Sequence, residues 1–455
     1  MTTTPTGVAR SRVSPRLVWL LPAGASLLVG LNAALLLLGL PAPLTAARFP
    51  EVHGMLLTLG FLGTLIALER ATALKTWWGY LAPALLGFGG IALFVDTLPL
   101  AVGQWILAAG ALAFTLNYLP LWRLRYDTPL IVQLLGAALA TGGAALWAAG
   151  IPMERVVPWL IGFIVLTICA ERVELAAVVM GARANTVLLA HSWAIALSLA
   201  LGLGSPQLGA IGLGAAVLSL TLWLVRHDLA RQMLRTAGAT RFMAACMLAG
   251  YFWLAIAGGT LLFGAPTSQP RYDAVIHAVL LGFALSMVMA HATTILPAVL
   301  HVRLPYRPIM WLPAALLHAS LVLRIWLGDG LGNRQLWQLG GALAVAALLV
   351  FVVTALTSTM LPAPVPATPD RPGVPHAGGA SGPAIAVAAG PDPDQPLFHA
   401  PLRPSARRDA RHATATAAAS PAASGPQTAA PAELSPAPNS PAPVSPTPST
   451  EGRPE

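Results

Sequence analysis

His53, His191, His277, His291 and His318, with Glu69 and Glu171, stand within or beside long apolar stretches of this chain. Imidazole and carboxylate donors suit copper, iron or zinc, and the same groups can relay protons. Ionisable side chains at membrane depth are costly, so each of these residues marks a candidate site. The densest stretch is YDAVIHAVLLGFALSMVMAHATTILPAVLH, residues 272–301. On an ideal helix, the 14 residues from His277 to His291 turn through about 1400°, within about 40° of one face, and rise roughly 21 Å. One helix face then presents two imidazoles at opposite depths. Two readings follow: polar residues satisfied between helices, or a helix that ligates metal or haem at one or both levels.

The elements that position these residues are membrane helices. The chain of 455 residues is 56% hydrophobic and 9% charged, with a mean hydropathy of +0.71, too apolar and charge-poor for a soluble globular protein. Its net charge of +9 is spread over short loops and a tail, which excludes a nucleic-acid-binding stripe. Cys169 and Cys246 fall inside apolar runs and read as small buried residues, with no disulfide framework expected.

Twelve apolar windows are expected, near 17–40, 52–74, 77–96, 98–120, 129–150, 157–180, 186–203, 208–226, 242–264, 274–297, 309–327 and 336–360. The first is long enough to span and lacks a short h-region with a cleavage motif, so it reads as a helix and not as a signal peptide. Residues 1–16 form a cytoplasmic N-terminal segment and 17–361 the membrane domain. From residue 362 the composition turns to Pro, Ala, Ser, Thr and Gly, which predicts a disordered cytoplasmic tail over 362–455. His376, His399 and His412 lie in that tail and are expected to have no site role.

With the N-terminus inside, the outer segments hold only Arg48, Arg155, Arg271, Arg324 and Arg334, whereas the inner ones hold the remaining loop cations. The positive-inside rule therefore places both termini in the cytoplasm. His53 and His277, each near the start of an even-numbered helix, then share the outer level. Glu69, Glu171, His191 and His291 lie toward the inner level, and His318 nearer the middle of the eleventh helix. A glutamate followed by arginine there can equally be a helix end at the headgroups, with a local ion pair and a snorkelling arginine. Asn32, Asn117 and Ser198 are expected to bond between helices.

An internal repeat orders the helices. Gly60-Phe61 is followed, nine residues after the glycine, by Glu69-Arg70; Gly162-Phe163 is followed at the same offset by Glu171-Arg172, and Gly282-Phe283 by His291. The copies fall on the second, sixth and tenth helices. The expected fold class is thus an all-α polytopic membrane protein of about twelve transmembrane helices, in three pseudo-repeated four-helix arcs.

This layout resembles the haem-copper oxidase subunit I superfamily, and the segments VHGMLLTLGFLGTLIALERATAL, 52–74, and HAVLLGFALSMVMAHATTILPAVLH, 277–301, look like the NnrS family of haem- and copper-containing membrane proteins linked to denitrification and nitric-oxide stress. The resemblance implies a b-type haem held between His53 and His277, whose positions relative to their Gly-Phe pairs differ by about 3 Å in depth. It also implies electron transfer or nitric-oxide handling, with an electron donor or haem-protein partner in a bacterial inner membrane. The histidines of the superfamily's binuclear copper site are missing from the sixth and seventh helices, so that site is not intact. An inner-level copper or second haem would draw on His291, His318, His191, Glu69 and Glu171. The chief alternative is a proton-coupled secondary transporter or channel using the intramembrane His and Glu residues; a membrane assembly protein recruiting partners through its tail is a third.

Overall fold

The computed structural model describes residues 18–300 and 302–361; His301, the N-terminal segment and the whole expected tail lie outside the described residues. The described chain is helical, with twelve helices long and apolar enough to cross a bilayer: α1 (Leu20–Leu37), α2 (Phe49–Leu74), α3 (Trp77–Phe94), α4 (Leu100–Arg125), α5 (Thr128–Ala148), α6 (Met153–Ala177), α7 (Ala184–Gly204), α8 (Pro206–His227), α9 (Gly238–Leu261), α10 (Gln269–Pro297), α11 (Pro308–Asp329) and α12 (Arg334–Met360). The protein is a polytopic membrane protein. The apolar runs form helices because hydrocarbon offers the backbone no other partners. Their ends follow local chemistry: proline occupies the first turn of α2, α5 and α8, and α2 stops where Lys75 turns left-handed at φ 57°.

Successive helices pack side by side, and α12 closes back on α1. Contacts also skip one helix, between α1 and α3, α2 and α4, α5 and α7, α6 and α8, and α9 and α11. That recurrence has the expected period of four. Within their most apolar windows, α2, α6 and α10 are 61%, 78% and 67% buried, more than any other spanning helix, so these three form the centre of the bundle. Cys169 and Cys246 are free thiols buried in the core.

The repeat has a conformational counterpart in two of its three copies. α2 is π-helical over Leu56–Gly63 and α10 over Ala278–Leu285, and Gly-Phe occupies the fifth and sixth positions of each segment. The third copy, in α6, is ordinary α-helix. A π segment bonds i→i+5 and winds less per residue, and such segments concentrate at functional sites. The same-face expectation for His277 and His291 assumed an ideal helix and does not survive the intervening π segment.

The repeat glycines are packing sites as well. A Cβ on Gly282 would overlap the Trp253 side chain of α9, and one on Gly60 would meet Ser26 Oγ of α1 at 2.8 Å. Gly282→Val is therefore expected to destabilise the bundle by about 1–3 kcal/mol through overpacking, measured as a lower thermal midpoint in detergent.

Candidate functional site

His53 and His277 lie on the two central helices α2 and α10 and line one cavity of about 380 Å³. The volume falls within the range of small-molecule and cofactor sites. Leu27 and Leu31 of α1, Phe61 of α2, Leu160 of α6 and Val345 of α12 give it apolar walls. His53, Asp273, His277 and Arg324 line it together.

Both imidazoles are held in the same way. His53 Nδ1 donates to the Gly30 carbonyl at 2.9 Å, and His277 Nδ1 to the Asp273 carbonyl at 2.9 Å. That bond fixes the tautomer with the lone pair on Nε2, the form in which histidine ligates a metal. The Asp273 carboxylate also stands 3.3 Å from His277 Nδ1. It is in turn gripped by Arg324, whose Nε and Nη2 each donate to one of its oxygens at 2.7 Å. Arg324 lies over the Trp337 ring, 4.7 Å from its centroid, where Gly341 leaves room for the guanidinium. A chain Arg324, Asp273, His277 thus anchors one imidazole through the side chain of α11. Composition placed Arg324 among outer loop charges; it is buried within α11 and lines the cavity.

A second buried network sits toward the other end of α10. Arg172 of α6 donates from Nη1 to His291 Nε2 at 3.1 Å, and from Nε and Nη2 to the Asp228 carboxylate at 3.1–3.2 Å. Tyr251 Oη donates to the same carboxylate at 2.7 Å, as does the Ala230 amide at 3.0 Å. His291 Nδ1 donates to the Met287 carbonyl. Both nitrogens of His291 are therefore engaged, and Arg172 is an interior cation and not a snorkelling one.

A family model described as a domain of unknown function, DUF8744, matches residues 16–360, the whole twelve-helix region. The chain belongs to the DUF8744 family. No curated protein matches it. Among solved structures, a haem-copper terminal oxidase dimer determined by cryo-EM aligns at a TM-score of 0.35 and 12% identity, over 78% of this chain and 84% of the oxidase chain.

The expected inner-level metal set is not assembled in this DUF8744 protein. Among the described residues no three His, Cys, Asp or Glu side chains gather as a metal would require. His191 bonds the Val187 carbonyl of its own helix and Ser219 of α8. His318 Nδ1 accepts from Trp253 Nε1 at 3.1 Å, and His291 is committed to Arg172. These residues do not fit a shared copper or second haem. Glu69 forms the local ion pair with Arg70, at 2.8 Å.

Of the polar residues expected to bond between helices, Asn117 does, donating to the Gly79 carbonyl of α3. Asn32 pairs with Leu44 in the following loop, and Ser198 bonds Ala194 in its own helix. The residues missed from sequence are Asp228, Tyr251, Asp273 and Arg324. Asp273 had a readable signal, standing four residues before His277 and so on the same helix face.

Proposed function

We propose that this chain is a haem-binding membrane protein in which His53 and His277 would hold one b-type haem. The observation that supports it best is the pair of histidines on two central helices, lining one apolar cavity, each with Nδ1 bound to a carbonyl and Nε2 left for a ligand. Bis-imidazole ligation would supply a one-electron couple tuned by the surrounding shell. The chain's own residues serve that couple in distinct ways. The Gly30 and Asp273 carbonyls keep both rings in the ligating tautomer. Asp273, held by Arg324, stands behind the His277 ring and fixes its orientation. Leucine and phenylalanine walls keep water away and lower the local dielectric.

The resemblance of 52–74 and 277–301 to the NnrS and haem-copper oxidase groups supports a role in electron transfer or nitric-oxide handling in a bacterial inner membrane with a separate electron donor, and the excess of loop cations on one side supports the histidine level outward and both termini cytoplasmic. Protein purified from haem-replete cells is expected to contain stoichiometric haem. Asp273→Asn removes the carboxylate behind His277 and is expected to weaken haem retention by about 10–100-fold, read as haem per chain after gel filtration.

A further inference from the structure

A groove of about 600 Å³ runs along the surface of α9, apart from the histidine cavity. Ala255, Ile256, Gly259, Thr260 and Phe263 line it, and Arg271, in the first turn of α10, stands at its mouth. Phe252, Ile256, Gly259 and Phe263 recur every three or four positions, so the groove follows one face of the helix. Beyond Ala255 that face reaches Phe252, whose ring meets Trp326 of α11 edge to face with centroids 6.0 Å apart. Both rings are exposed on the bundle surface. From Phe263 to this ring pair the helix covers roughly 16 Å, the depth of one leaflet in a hydrocarbon core about 30 Å thick.

Arg271 is held in place and left charged. Its Nη2 donates to the Thr260 carbonyl at 3.3 Å and to the Gly264 carbonyl at 3.0 Å. Those bonds use both hydrogens of that nitrogen and leave the ones on Nε and Nη1. Gln207 of α8 clamps the same turn, donating to the Phe263 carbonyl and accepting from the Ala265 amide. Neutral carbonyls orient a guanidinium without neutralising it. Arg70, Arg125, Arg172 and Arg324 each pair with a carboxylate, whereas among the described residues Arg271 has none. A half-buried cation over an apolar groove one leaflet deep is complementary to an anion carried on a hydrocarbon chain.

The glycines of α9 separate the open face from the packed one. A Cβ on Gly258 would meet the Leu218 backbone nitrogen of α8 at 2.9 Å, but one on Gly259 would meet nothing within 4 Å.

We propose that this groove holds one anionic phospholipid, with its phosphate on Arg271 and one acyl chain along α9 down to Phe252 and Trp326. The site stands independently of haem ligation.

Native mass spectrometry of the full-length protein, delipidated in detergent and titrated with phosphatidylglycerol, tests it. One phosphatidylglycerol per chain should stay bound at collision energies that strip the rest. Phosphatidylcholine, whose choline offsets the phosphate charge, should be retained roughly 5-fold less. Arg271→Gln should lower phosphatidylglycerol to the phosphatidylcholine level. Gly259→Leu fills the groove without meeting the bundle, so it should abolish retention while leaving the thermal midpoint of the delipidated protein unchanged. It also gives an independent reading if Arg271→Gln fails to fold. Inorganic phosphate, which lacks the chain, should not displace the lipid. Absence of a retained lipid, equal retention of the two lipids, retention unaltered in both variants, or displacement by inorganic phosphate would overturn the proposal, the last by assigning Arg271 to a free anion.

Discussion

Replacing either His53 or His277 by alanine is expected to abolish the haem absorbance of the purified protein while leaving its helical content unchanged. Each histidine would supply one ligand to the iron, and among the described residues the cavity walls offer no further imidazole. At His53 alanine enlarges an existing cavity and loses one bond to a main-chain carbonyl; at His277 it also removes the contact with the Asp273 carboxylate, which keeps both of its bonds to Arg324. Free imidazole can enter the space left behind, so adding it is expected to restore part of the signal. His191→Ala and His318→Ala are the controls. His191 bonds Val187 and Ser219, and His318 bonds Trp253, all outside the cavity, so these variants should retain haem at the level of the unmodified protein.

The largest effect on stability is expected from Asp228→Ala, which should cost about 3–5 kcal/mol because it leaves a buried arginine without its carboxylate. The Arg172 and Asp228 side chains are only 8% and 1% exposed. Asp228 accepts from Arg172, Tyr251 and the Ala230 amide, so its loss orphans donors on α6, on α9 and in the connection between α8 and α9. Removing charge from both sides, as Arg172→Met with Asp228→Leu, is expected to cost less than Asp228→Ala alone, since no uncompensated ion then remains. Thermal unfolding in detergent across the four-member cycle measures the coupling. A loss in the double variant equal to the sum of the two single losses would show that Arg172 and Asp228 are not coupled.

Hydropathy and phase made the twelve helices legible, because spanning length and apolar composition are local properties. The repeat was legible too, and it singled out α2, α6 and α10, the three most buried helices. What a single sequence withholds is which faces converge. The common nine-residue offset paired His291 with Glu171 by position; the structure pairs it with Arg172, the next residue, because one step along a helix turns the side chain by about 100°. Asp228 stands in a basic connector and reads as solvated, yet it is folded back under Tyr251. Arg324 is close enough to the end of α11 to pass for a loop charge, although its bidentate bond to Asp273 buries it. That His53 and His277 line one cavity could be anticipated because their depth depends only on position along two central helices. Glu69, Glu171, His191, His291 and His318 were not separable into networks, because that depends on neighbours distant in sequence.

The central claim, one haem between His53 and His277, is tested most directly by the absorption spectrum of the purified full-length protein, oxidised and then chemically reduced. The account predicts a low-spin b-type spectrum, with a Soret band that shifts and an α band that sharpens on reduction, absent from His53→Ala and His277→Ala. A colourless preparation from haem-replete cells, or a haem spectrum unchanged in both variants, would contradict it.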